Sequence, residues 1–335
     1  MFLRRYFDCK KMGVQYKMFG WSPKNDRKPM TSPQYECFTL SAADGHEIQV
    51  KVWSPAQAPT GVMQIFHGLG EYGGRYARFA SAATERNFVV GIHDHRGHGE
   101  HSDTPGFFAA ENGWAALMSD ALVVNEFLKQ RFAKLPLTLM GHSMGSYVAQ
   151  NFAMQYGERL NALLLSASTI APRFETLAGN LLARMECWRV GERGNSPLLD
   201  KLGFGDFNKP FAPARTELDW LSRDPDEVDA YIADPLCGGP YTAGLWRDLT
   251  RGLLDIVSDT EISRIPLDLP ILITGGEKDP VGGEHGMGQL ALHYARTSHS
   301  RLSVKIYPDG RHEMLNEINR DQVTADWLNW IEEHI

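Results

Sequence analysis

Three side chains set far apart in the chain could together attack a carbonyl: Ser143, Asp279 and His312. A serine hydroxyl is a poor nucleophile until a base takes its proton, and the base needs a third group to orient it. Ser143 stands in Gly141-His-Ser-Met-Gly145, the G-x-S-x-G spacing of a nucleophile elbow. A sharp strand-to-helix turn would push its hydroxyl out over the sheet edge. A side chain two residues before or after it would collide with the turn, which suits Gly141 and Gly145. Three fixed residues in five are a weak signal alone, and a surface Gly/Ser turn is the plain alternative. The context favours the elbow, because the apolar run 137–140 reads as a buried strand and a helical pattern follows Ser143.

In such a fold the order along the chain is serine, acid, histidine. Asp279 lies just past an apolar strand at 270–275, and His312 past the next strand at 302–307. Both would project from the same sheet edge as Ser143, the edge where open α/β sheets bind ligands. Glu277 comes too early in its loop to compete with Asp279. Asp309 would have to supply both a turn and the carboxylate. His285 rivals His312, but no strand separates it from Asp279. The negative oxygen of an acyl-transfer intermediate needs two backbone N–H groups. Met144, after the nucleophile, and Leu69, in the His67-Gly68-Leu69-Gly70 loop after a strand at 61–66, are the expected donors.

A second cluster of chemistry-bearing residues runs from His93 to Asp103 in His-Asp-His-Arg-Gly-His-Gly-Glu-His-Ser-Asp. It nearly matches the H-x-H-x-D-H spacing of metallo-hydrolases, but Gly97 stands where the aspartate ligand belongs. The expectation is a strand end and tight turn packed under the site, with no metal and no cofactor. The Gly-rich run 282–288 lacks the lysine of a phosphate loop.

The elements that must position these groups follow from periodicity. Short alternating runs at 35–40 and 46–53 flank Asp44-Gly45 and predict a hairpin. Strands are expected at 61–66, 88–93, 137–140, 163–166, 270–275 and 302–307. Helical character is expected at 78–86, 114–132, from Ser143 to about 156, near 288–295 and over 321–335. Leu117, Ala121, Val124 and Leu128 share one side of the second of these. Strands alternating with helices make a mostly parallel sheet covered on both faces, so the fold class is α/β. The rhythm breaks at 169–250, a stretch rich in Pro, Gly and aromatics: Phe174, Trp188, Phe204, Phe207, Phe211, Trp220, Tyr231, Tyr241 and Trp246.

The composition bounds the alternatives. The chain has 335 residues, 43% hydrophobic and 22% charged, enough for one large domain with an insertion. Four cysteines, Cys9, Cys37, Cys187 and Cys237, are spaced too irregularly for structural zinc and point to a reducing, cytoplasmic setting. No apolar run reaches the roughly 18 residues of a membrane span, and charges interrupt any signal-peptide core. Residues 1–34 hold eight Lys/Arg against two Asp/Glu, a balance of +6, and the rest of the chain carries 26 basic and 39 acidic side chains, a balance of −13. An acidic body argues against nucleic acid as partner. The basic, aromatic arm at 1–34 could sit on an anionic lipid surface. An extension resting on the acidic body is the simpler reading.

Together the motifs resemble the α/β-hydrolase group of monoacylglycerol lipases and lysophospholipases, the serine aminopeptidase S33-like hydrolases. The segments that carry the resemblance are residues 67–76 (His-Gly-Leu-Gly-Glu-Tyr-Gly-Gly-Arg-Tyr), 94–99 (Asp-His-Arg-Gly-His-Gly), the elbow, the Asp279/His312 pair and a stretch from Leu221 through Asp234-Pro-Leu-Cys237. They span most of 35–335. The resemblance implies a hydrolase core at 35–168 and 251–335 with a largely helical cap at 169–250 forming an acyl-chain tunnel. It implies a serine esterase acting on a single-chain lipid ester; peripheral membrane contact through the cap, or through the arm that lies outside the resemblance, is a further expectation. It also implies that Glu71 and Arg75 help bind a glycerol head. The animal enzymes add a histidine three places past the catalytic one, where this chain has Leu315. A peptidase of the proline-iminopeptidase type would show His-Gly-Gly-Pro and Gly-Gly-Ser-Trp-Gly, and neither is present. A binding protein without catalysis would have little reason to keep the three-residue set. Acyl length, head group and oligomeric state leave no mark on the sequence.

Overall fold

The computed structural model describes residues 35–335, and the arm expected over 1–34 lies outside them. Strands β1 (Tyr35–Ser41) and β2 (Glu47–Trp53) pair as the expected antiparallel hairpin, with Ser41 opposite Glu47 at the turn. After them come β3 (Gly61–Phe66), α1 (Ala77–Glu85), β4 (Phe88–His93), α2 (Gly113–Arg131), β5 (Leu137–His142), α3 (Met144–Tyr156) and β6 (Ala162–Ser166). Helices α4 (Arg173–Val190), α5 (Pro197–Phe204), α6 (Pro225–Ala233), α7 (Ala243–Ile256) and the short α8 (Asp259–Ile262) follow. The chain ends with β7 (Ile271–Gly276), α9 (Gly283–Arg296), β8 (Leu302–Tyr307) and α10 (Arg320–His334).

The eight strands form one sheet in the order β1-β2-β4-β3-β5-β6-β7-β8, parallel from β4 through β8. Every residue of β3 to β7 is buried, as expected of parallel strands covered on both faces. Alternate residues go to opposite cores. Leu137, Leu139, Leu163, Leu165, Ile271 and Ile273 meet Leu117, Ala121, Val124 and Leu128 of α2 and Phe152 of α3. Met63, Ile65, Met140, Leu164 and Leu272 meet Phe79 of α1 and Trp327 and Ile331 of α10. Each such side chain taken from water contributes about 1.5–3 kcal/mol before chain entropy is counted. This double burial holds the carboxyl ends of β3, β5 and β7, and so the loops after them, in fixed register, and pairing with β7 carries β8 alongside.

The stretch 169–250 is mainly helical. Helix α4 lies along α7, and α7 rests on α2 and α3. The division expected at 250 therefore falls inside α7, whose Leu245 and Leu249 belong to the main core. Of the nine aromatics expected to build this region, Phe174 and Trp188 stand exposed. Trp220 and Tyr231 are buried among Phe204, Phe207 and Phe211 in a small core of their own.

Candidate active site

Strand β5 ends at His142 and α3 begins at Met144, so Ser143 is the entire connection. Its backbone sits at φ 51°, ψ −121°, a conformation L-residues rarely adopt. Neighbours fix it there: Ser143 N–H donates to Ser166 O at 3.0 Å, and Ser146 N–H and Oγ donate to Ser143 O at 2.8 and 2.6 Å. A Cβ on Gly141 would stand 2.3 Å from Gly145 O, and one on Gly145 would stand 2.2 Å from Phe66 O. The two glycines are thus required by contact with the backbone itself.

Asp279 and His312 meet at the same edge. The Asp279 Oδ1 lies 2.9 Å from His312 Nδ1, and both side chains are buried. The other face of that oxygen accepts Val281 N–H at 2.9 Å. The His312 ring packs 4.9 Å from the ring of His142, the residue before Ser143. Ser143 Oγ makes no hydrogen bond to His312 in this structure. Such bonds commonly tighten only around bound substrate. Burial pushes the His312 imidazole towards the neutral form. The charge and hydrogen bond of Asp279, joined by the charges of Glu313 and Glu71, overcome this and raise its pKa. His142 has no such carboxylate partner, and burial with the nearby His312 charge takes it down to about 4.

Of the rivals, Glu277 accepts from Asp309 N–H and Lys278 at the surface, and His285 is exposed on α9. Met144 is the first residue of α3, so its N–H has no acceptor within the helix. Leu69 sits in the loop after β3. A Cβ on its neighbour Gly68 would lie 3.3 Å from Ser143 Cβ, which places this loop against the nucleophile. Glu71 and Arg75 lie beside it, and their polar atoms are engaged with protein. Glu71 Oε1 accepts Gly68 N–H at 2.5 Å and Tyr76 O–H at 2.8 Å, and Glu71 Oε2 accepts Arg75 Nη1 at 3.0 Å.

The His-rich stretch forms a strand end and turn. His67, His93, His95 and His98 pack ring against ring, and His67 Nε2 accepts His95 N–H at 2.9 Å. Arg96 reaches out of this turn to Asp120 and Asp44. Among the described residues no group of His, Cys, Asp and Glu is arranged to hold a metal ion.

Sequence reading overlooked three residues that touch this constellation. Trp220 lays its ring 4.9 Å from that of His312, and its carbonyl accepts His312 N–H at 3.4 Å. Tyr231 of α6 donates to Gly70 O at 2.8 Å, holding the loop that carries Leu69. Glu313 pairs with Arg75. Trp220 and Tyr231 were legible only as aromatics of the stretch 169–250, and Glu313 only as a charged residue directly after the histidine and before the apolar Met314-Leu315.

This geometry is matched by relationships to known proteins. The profile of the serine aminopeptidase S33 family matches residues 57–319. The chain belongs to this family. It is 26% identical to the monoacylglycerol lipase of Mycolicibacterium smegmatis over 303 residues, 89% of this chain and 97% of that one. It is 27% identical to the human monoglyceride lipase over 298 residues, 87% of this chain and 88% of that one. Among solved structures, a lipase in an open form superposes with a TM-score of 0.80 at 27% identity, covering 90% of this chain and 99% of that one. The S33 hydrolase described here has the α/β-hydrolase fold and is a carboxylic ester hydrolase.

Proposed function

We propose that the chain hydrolyses esters of single-chain lipids, a monoacylglycerol or a lysophospholipid, through an acyl-enzyme on Ser143. In this reading Ser143 Oγ attacks the ester carbonyl and His312 takes its proton. Asp279 holds the imidazole in the productive tautomer, and the N–H groups of Leu69 and Met144 receive the negative oxygen. His312 returns the proton to the departing alcohol, and water then releases the fatty acid. The single observation that carries the reading is the buried Asp279–His312 pair, packed on the ring of His142 directly before an elbow serine at φ 51°. The full-length similarity to proteins named monoacylglycerol or monoglyceride lipase supports the substrate class.

Residues 169–250 serve as the cap in this proposal, and 35–168 with 251–335 as the core. Glu71 and Arg75 shape the head-group end through the loop they fix. The exposed side chains Phe174, Leu177, Leu181, Met185 and Trp188 recur every three or four residues, one continuous face of α4. Such a face fits the boundary of a bilayer, from which a single-chain lipid would enter. Among the described residues no helix is long and apolar enough to cross a membrane, so the contact proposed is peripheral.

The test uses the full chain. Wild type should hydrolyse nitrophenyl butyrate, label with a fluorophosphonate and cleave monoacylglycerols or lysophospholipids in a panel of graded chain length. Ser143→Ala should lose all three. Retained turnover in that variant would end the reading. Cleavage of the nitrophenyl ester with none of the lipids touched would remove the lipid substrate.

A further inference from the structure

Arg75 is held by three separate pieces of chain. Its Nη1 and Nη2 donate to Glu313 Oε1 and Oε2 at 2.5 and 2.7 Å, a bidentate pair across 238 positions of sequence. Its Nη1 also donates to Glu71 Oε2 at 3.0 Å. Its guanidinium carbon lies 4.8 Å from the ring centroid of Tyr231 in α6. Glu71 belongs to the loop that carries Leu69 and fixes the N–H of Gly68 within it. Glu313 is the residue after His312 and also accepts Asn316 Nδ2 at 3.0 Å. Its own N–H donates to Leu221 O at 2.8 Å. The oxyanion loop, the histidine loop and the cap thus converge on one guanidinium.

The charge count matters as much as the geometry. Two buried carboxyl groups, those of Glu313 and Glu71, face the one guanidinium of Arg75. A buried ion pair is no bargain for stability by itself, since the desolvation of its members offsets their attraction. An ordinary apolar plug would fill the space with less electrostatic cost. The charge of Glu313 has a use if it acts on His312, which becomes a cation as the serine proton moves to it. His312 bonds Asp279 of the β7 loop, and its ring packs on His142 at the end of β5 and on Trp220. The charges of Asp279, Glu313 and Glu71 favour the imidazolium, with Arg75 set on the two glutamates.

We infer that Glu313 is a positioning residue for ester cleavage: through Arg75 and Glu71 it locks the Leu69 loop to the His312 loop, and its charge supports the protonated imidazole. The inference rests on the proposed catalytic roles of Ser143 and His312. Arg75 holds Glu313 ionised: burial alone would protonate it, but the guanidinium outweighs burial and lowers its pKa to about 2.

Glu313→Gln keeps the shape of the side chain and removes its charge. With nitrophenyl butyrate, kcat should fall by roughly tenfold to a hundredfold with KM within about twofold, the scale expected when reacting groups lose their register. The acid limb of the kcat/KM profile should move to lower pH, because His312 loses a neighbouring negative charge. Glu313→Asp keeps the charge on a shorter arm, so it should lower kcat while leaving the acid limb in place. A Glu313→Gln enzyme with unchanged kcat and acid limb would overturn the inference. If that variant does not fold, Glu313→Asp decides: an unchanged kcat overturns it. Either result leaves the Ser143→Ala test of the ester hydrolase reading untouched.

Discussion

The carboxylate of Asp279 meets Nδ1 of His312 at 2.9 Å, each residue on the loop after its own parallel strand and each buried. With Nδ1–H given to the carboxylate, Nε2 is the nitrogen left free, and in the proposed mechanism it is the base.

Asp279→Asn should therefore cost more than a charge. An amide can donate to Nδ1 and favour the wrong tautomer, and kcat should fall by about 10⁴-fold with the fold intact. The pH dependence has a definite sign. In the proposed mechanism the working base is neutral His312, whose pKa lies above the ordinary 6.5 because the Asp279 carboxylate outweighs burial. Activity should be lost as pH falls through that raised value, so the acid limb of kcat/KM lies above 6.5 in the wild type. A profile from about pH 5 to about pH 9 measures it. An acid limb below the ordinary histidine value would contradict the arrangement.

The strands were legible because burial on both faces writes them as unbroken apolar runs, as in Leu137–His142 and Ile271–Gly276. The elbow was legible because Gly141 and Gly145 are forced by backbone contact. Helix α9 begins at Gly283, ahead of the stretch near 288–295 that its pattern suggested, because Gly282, Gly283, Gly286 and Gly288 mask the helical signal. Helices α5 and α6 were not read from the sequence, although Ser196-Pro197 and Asp224-Pro225 carry a signal for them: the polar side chain caps the first turn and proline opens it. The Arg75–Glu313 pair was illegible. A contact between polar side chains 238 residues apart follows no period and belongs to the topology alone.

The elbow glycines give a stability prediction with an internal control. Gly145→Ala would place a methyl 2.2 Å from Phe66 O, in the last pair of the β3–β5 ladder, and 2.5 Å from His67 O just beyond it. Overpacking against fixed backbone should destabilise by about 1–3 kcal/mol or more and abolish turnover. Gly288 lies inside α9 with nothing within 4 Å of a built Cβ. Gly288→Ala should stabilise by roughly 0.5–1 kcal/mol. Thermal melts of the two variants should move in opposite directions from the wild type.

The turn beneath the site hangs on Arg96. Its Nε and Nη2 donate to Asp120 at 2.6 and 2.8 Å, and Nη1 and Nη2 donate to Asp44 at 2.6 and 2.9 Å. Arg96 and Asp120 are buried, whereas Asp44 is half exposed. Asp120→Ala would leave a buried guanidinium with only its surface partner. A loss of about 3 kcal/mol is expected, read as a lower urea midpoint. Asp44→Ala leaves the buried pair intact and should cost less than half as much. Equal losses would show that the buried member of the network has no special weight.

The proposed membrane contact through the apolar face of α4 can be tested apart from the chemistry. Phe174 and Trp188 are 82% and 89% exposed, and no core residue depends on them. Each could give up to about 1.5–3 kcal/mol on entering a bilayer boundary, so replacing both with serine should weaken vesicle binding at least tenfold. The formal charge on α4 is nearly balanced, with Arg173, Arg184 and Arg189 against Glu175 and Glu186. Binding should accordingly depend on apolar contact, respond weakly to salt and differ little between neutral and anionic vesicles. Hydrolysis of a soluble short-chain ester should stay within about twofold of wild type in the double variant, while turnover of a vesicle-borne monoacylglycerol falls with the binding. Vesicle binding that survives the Phe174→Ser/Trp188→Ser change would move the membrane contact off this helix.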